Sequence, residues 1–129
     1  MRLLGTLMIV VVALLHIGFA WLEMIAWTKP IGLSVFDMTA EEAAISAQLA
    51  LNQGFYNLML AVALLSCLFY SSRNTARVIL MIIIAVGIFG GLTVSPKIYL
   101  LQALPALIAW ILVRVHVARE NKTSISFDQ

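Results

Sequence analysis

The side chains in this sequence that could do chemistry are few, and they sit inside apolar stretches. His16 and Glu23 interrupt the first such stretch, and Asn52, Gln53, Tyr56 and Asn57 crowd into the second. Thr93, Lys97 and Gln102 follow in the last third of the chain. A histidine and a carboxylate can serve as acid and base on a small substrate. Amides, hydroxyls and an ammonium can hold a ligand by hydrogen bonds. His16 and Glu23 are therefore the candidate catalytic residues, and all of these side chains are candidate ligand contacts. No spacing among them is diagnostic of one reaction, so whether the chain is an enzyme stays open. On a helix, His16 and Glu23 return to within about 20° of one direction but stand about 10.5 Å apart along the axis. That separation, with no second histidine in the same apolar core and no Glu-x-x-His pairs of the di-iron type, argues against a metal site. Neither a glycine-rich phosphate loop nor a strand–turn–helix nucleophile elbow is present, so no cofactor is expected.

The elements that must position these residues follow from composition. Of 129 residues, 63% are hydrophobic and 11% charged, against roughly 25% charged in a soluble domain. The expectation is an all-α integral membrane protein, a four-helix antiparallel bundle. Its helices fall at about 3–27, 40–70, 76–94 and 96–117, with a polar cytoplasmic tail over 118–129. A span needs about 20 mostly apolar residues, and backbone groups in hydrocarbon demand helices rather than open strands. The net charge of +2 is scattered and forms no basic stripe, which argues against nucleic acid. The single cysteine, Cys67, has no partner within the chain for a disulfide. A rival reading makes Arg2 and the run up to Gly18-Phe19-Ala20 a signal peptide, but the apolar stretch continues past Ala20, beyond the usual ~7–15-residue signal core.

Local signals mark the joints. Thr39-Ala40-Glu41-Glu42 has the form of a capping box, and Ser95-Pro96 places a cap and an N1 proline before the fourth helix. Ser71 to Thr75 reads as a short polar turn. Arg2, Arg73, Arg77, Arg114, Arg119 and Lys122 fall on one side, with His116 near them, and only Lys29 and Lys97 on the other. The excess of basic residues favours the cytoplasm, so both termini are expected inside. With that direction, His16, Glu23, Asn52, Gln53, Tyr56, Asn57, Thr93, Lys97 and Gln102 all lie between mid-membrane and the outer surface. The reading is a polar pocket in the outer half of the bundle, in which Glu23 pairs with Lys97 or accepts a hydrogen bond from an amide of the second helix.

A plainer reading stands beside this one. Single Asn, Gln or Thr residues join membrane helices at about 0.6 kcal/mol per hydrogen bond, and that suffices for Thr93 or Gln102. Polar groups as dense as Asn52, Gln53, Tyr56 and Asn57 exceed what helix pairing needs. Gly87 and Gly91, continued by Ser95, form a small-residue face that serves close packing within the chain or, alternatively, a homodimer.

The stretch Asn52-Gln53-Gly54-Phe55-Tyr56-Asn57, the first-helix residues His16, Glu23-Met24 and Trp27, and the later run Gly87-Ile88-Phe89-Gly90-Gly91-Leu92-Thr93-Val94 with Lys97-Ile98, Gln102 and Pro105-Ala106 closely resemble the domain of unknown function 1304 family. Those are small membrane proteins of bacteria and some fungi, and the resemblance covers nearly the whole chain. It implies a bacterial cell membrane and supports the fold, but it brings no reaction. Leu15 stands where relatives often have Glu, so a second acid in the first helix is missing, and Phe89 stands where many have Tyr. The leading expectation is a protein that binds a small molecule or lipid in the outer pocket. The alternatives are a small proton-coupled transporter, against which the one-sided basic bias argues, and an accessory or scaffold protein without chemistry. A reporter fused to the C-terminus is expected to register as cytoplasmic; one read from outside the cell would break this topology.

Overall fold

The computed structural model describes residues 2–114, with only the backbone of Arg2. Every element among them is helical. Helix α1 (Arg2–Trp21) runs without a break into a π-helical turn, Leu22–Ala26. Helix α2 is Pro30–Phe36, α3 is Ala40–Phe69 and α4 is Arg73–Thr93. The last helix, α5 (Tyr99–Arg114), opens with a second π-helical turn over Tyr99–Ala103. Three segments, Leu3–Ala26, Ala40–Phe69 and Arg73–Thr93, are long and apolar enough to cross a membrane, and α5 is shorter. The expected end of the fourth helix at 117, the cytoplasmic-end His116, the basic Arg119 and Lys122, and the tail over 118–129 lie outside the described residues.

The ends of the helices follow from local chemistry. At the start of α3 both arms of the capping box form: Thr39 N donates to Glu42 Oε2 at 2.8 Å, and Glu42 N donates to Thr39 Oγ1 at 3.2 Å. The turn after α3 is tighter than the polar stretch Ser71–Thr75 suggests. Ser71 adopts a left-handed conformation (φ 53°), Ser71 N donates to Leu68 O at 3.2 Å and Ser72 N to Cys67 O at 2.8 Å. These are the paired bonds of a Schellman motif, with serine where glycine is usual. The chain has therefore reversed by Ser72, and Arg73, Asn74 and Thr75 become the first turn of α4. A further helix, α2, fills a stretch in which the sequence reading places none. Lys29 is extended, Pro30 supplies the fixed φ of a first helical position, and Asp37 closes the helix at φ 54°. Before α5, Ile98 N donates to Ser95 O at 3.0 Å and Tyr99 N to Pro96 O at 3.2 Å, so the proline is followed by a tight turn and the regular helix starts slightly later.

The described chain divides into two compact units. One is Ala13–Val62, holding the second part of α1, all of α2 and most of α3. The other combines the first residues of α1 with the end of α3, α4 and α5. The buried hydrophobic residues of the first unit are all alanines: Ala13, Ala20, Ala26, Ala43, Ala50 and Ala61. Large apolar side chains such as Ile45, Leu49 and Phe55 are exposed instead.

In the second unit, α4 buries Ala76, Leu80, Ile83, Gly87 and Gly91, a single stripe at helical spacing. It packs against α5 as an antiparallel hairpin. Gly87 lies on Ala103 and Gly91 on the Tyr99 ring; a β-carbon at Gly87 would stand 2.8 Å from Ala103 N, and one at Gly91 2.5 Å from the ring. The small-residue face read from sequence is thus covered by the chain's own α5. Gly87→Ala is expected to cost about 1–3 kcal/mol through overpacking. Gly18→Ala, where a new β-carbon meets nothing within 4 Å, should leave stability near wild type. Reversible unfolding in mixed micelles measures both, and equal midpoints for the two variants would refute the packing argument.

Candidate functional site

The polar residues of the first unit converge on one hydrogen bond. Asn57 Nδ2 donates to Glu23 Oε2 at 2.7 Å, joining α1 to α3. Of the two pairings open to Glu23 on sequence grounds, this is the one with an amide of the following long helix. Asn57 is buried and Glu23 half-buried.

Two backbone features make the bond possible. Glu23 lies in the π-helical turn Leu22–Ala26. Such a turn inserts one residue into the α-helical ladder and rotates the residues beyond it by about 100°, and it recurs at functional positions. The other is Gly54, one turn before Asn57. A β-carbon there would stand 2.5 Å from Met24 Cγ, 3.0 Å from Glu23 Cβ and 3.1 Å from Ala20 O. Glycine in the interior of a helix costs roughly 1 kcal/mol against alanine, and here its missing side chain is what lets α1 lie close enough for the carboxylate to meet the amide.

A second polar chain ties the same helices nearer the start of α3. Trp27 Nε1 donates to Ser46 Oγ at 3.1 Å, and Ser46 Oγ donates to Glu42 O at 2.6 Å. The Trp27 ring packs on Phe36 of α2 with centroids 4.7 Å apart. Pairing Glu23 with Asn57 and Trp27 with Ser46 makes α1 and α3 antiparallel in this unit. Sequence reasoning leaves Trp27, Ser46 and Gly54 out of the site. The available signal is the glycine itself, an interruption within a long helical run.

The other candidates are spread over both units. His16 is fully buried and meets the Phe19 ring edge-on, with centroids 5.8 Å apart. Asn52, Gln53 and Tyr56 are on the exposed side of α3, within about one turn of buried Asn57. Thr93, Lys97 and Gln102 belong to the second unit. Thr93 Oγ1 donates back to Phe89 O at 2.8 Å, which satisfies it within its own helix. Lys97 is exposed, and Gln102 is half-buried within the π-helical turn of α5. Among the described residues, no three His, Cys, Asp or Glu side chains come together.

The fold and this site define a class: a small all-α protein with helices long and apolar enough to cross a membrane and a carboxylate–amide pair set between two of them. The chain belongs to the family described as protein of unknown function (DUF1304), whose model matches residues 10–114. It is similar to the uncharacterized protein YpaA of Lactococcus lactis subsp. lactis (strain IL1403), 34% identical over 115 residues that cover 86% of this chain and 97% of that protein. No solved structure matches it.

A double-mutant cycle on Glu23→Ala and Asn57→Ala, each of which removes one partner of the bond, tests the pair. A coupling of about 0.6 kcal/mol, and no more than ~1.7, is expected for a hydrogen bond between apolar helices. Additive effects of the two substitutions on unfolding free energy would show that the bond is not formed.

Proposed function

We propose that this chain is a multi-pass protein of the cell membrane, with four spans and both termini in the cytoplasm. It binds a small polar molecule or a lipid headgroup at the Glu23–Asn57 pair. Chain order and helix length support the depth. At 1.5 Å per residue, Asn57 lies about 18 Å along the axis from Phe69. A hydrocarbon core is about 30 Å thick, so with Phe69 at its inner edge Asn57, and Glu23 bonded to it, fall in the outer half. Helix α3, at 30 residues, is longer than that core requires. Its acidic first turn, with the Thr39–Glu42 box, then stands in the outer headgroup layer.

The observation that carries the reading is the contrast along one stretch of α3. Asn57 is buried on Glu23, while Asn52, Gln53 and Tyr56 stay exposed in the same stretch of α3. Amides facing hydrocarbon with no partner are costly, and a polar ligand gives them one. A ligand with hydroxyl or ammonium donors suits Glu23, and one with both donors and acceptors suits the amides. All the residues involved belong to the first unit.

A screen of polar metabolites and lipids by thermal shift is the test. At a hundredfold excess over Kd, a true ligand raises stability by about 2.7 kcal/mol. That shift should vanish in Glu23→Gln and in Asn57→Ala. A flat screen, together with wild-type behaviour of both variants in a deletion-complementation assay, would defeat the binding site. Proton-coupled efflux from vesicles lost in Glu23→Gln would make the chain a transporter instead. Greater sensitivity at Gly87 and Gly91 than at His16 and Glu23 would make it a scaffold.

A further inference from the structure

The second unit carries a cationic cluster that the Glu23 site does not use. Near one end of the α4–α5 hairpin, the guanidinium carbons of Arg77 and Arg114 both lie over the Trp110 ring, at 5.9 and 5.2 Å from its centroid. Arg77 stands in the second turn of α4 and Arg114 at the last described residue of α5, so the antiparallel packing brings them to the same end of the hairpin. Among the described residues, no carboxylate forms an ion pair with either of them. Arg77 reaches only Asn74 Oδ1, at 3.5 Å. Arg77 Nε and Trp110 Nε1 are buried with no acceptor among the described residues.

Two like charges held against one indole repel each other, increasingly so as water is excluded. Each gains from the ring face, by about 0.5–2 kcal/mol depending on desolvation, but the ring neutralises neither charge. Buried donors in native proteins nearly always have acceptors. This cluster therefore offers an excess of donors and positive charge and, among the described residues, no protein anion to match them. Guanidinium groups bind phosphate in a planar fork, and indole rings favour the headgroup level of a bilayer.

We propose that Arg77, Trp110 and Arg114 form a binding site for the phosphodiester of an anionic phospholipid headgroup. Its ligand is a lipid of the leaflet at that end of the hairpin, with the guanidinium groups holding the phosphate and the Trp110 ring holding the guanidinium groups in place. The site uses none of the residues of the Glu23 pair.

The test uses the full chain in a neutral detergent with Trp21→Phe and Trp27→Phe, which leaves Trp110 as the sole tryptophan. Short-chain phosphatidylglycerol, short-chain phosphatidylcholine and inorganic phosphate are titrated separately. Trp110 emission should saturate with phosphatidylglycerol at an apparent Kd at least tenfold below that for phosphatidylcholine. Arg77→Gln/Arg114→Gln should abolish the preference, while Lys29→Gln, which removes a charge elsewhere, should retain it. Arg114→Gln alone, at an exposed position, should lower the preference and keeps the test decisive if the double variant fails to fold. Equal responses to the two lipids, or a preference that survives both arginine substitutions, would overturn the proposal. Saturation by inorganic phosphate as tight as by phosphatidylglycerol would also overturn it, by assigning the site to a free anion.

Discussion

A carboxylate on an apolar helix needs a partner that the fold itself supplies, and in this chain that partner is Asn57. The 2.7 Å bond from Asn57 to Glu23 requires α1 and α3 to lie unusually close. Closeness comes from what is missing: the side chain of Gly54, and anything larger than a methyl group at Ala13, Ala20, Ala50 and Ala61. Between helices within a bilayer, association relies on close contact and hydrogen bonds more than on hydrophobic burial. A small-residue interior and a polar clasp are therefore parts of one solution. The Trp27–Ser46–Glu42 chain applies it again nearer the start of α3.

Both π-helical turns coincide with a polar residue in an apolar segment, Glu23 in one and Gln102 in the other. A wide turn breaks the α-helical hydrogen-bond register and survives only where surrounding contacts repay it. In α1 those contacts are the Glu23–Asn57 bond and the packing of Met24 against Gly54. In α5 they are Tyr99 on Gly91 and Ala103 on Gly87, from the two ends of the wide turn. Each turn sets the direction in which a helix presents its polar group. That direction decides whether the group is buried against a neighbouring helix or left exposed.

The α4–α5 hairpin obeys the same physics with a different outcome. Glycine brings its two helices together near the loop, while Arg77, Trp110 and Arg114 meet further along. The first contact is closed within the protein. The second leaves two guanidinium groups on one indole ring with no carboxylate partner among the described residues.

The features legible in the chain alone are those set by local rules. The apolar runs, the Thr39–Glu42 capping box and the Gly87–Gly91 face depend on residues within one or two turns, and their geometry is the same wherever the helix is placed. Helix α2 has a local signal too, since Pro30 marks a helix start, but its stretch lacks the apolar run by which the other helices are recognised. Tertiary structure alone decided which member of the crowded Asn52–Asn57 stretch faces inward, where helices depart from the α-helical period, and that the turn after α3 is complete by Ser72. Those choices depend on the side from which a neighbouring helix approaches and on how near it can come, and neither distance nor direction is encoded by spacing along a single helix.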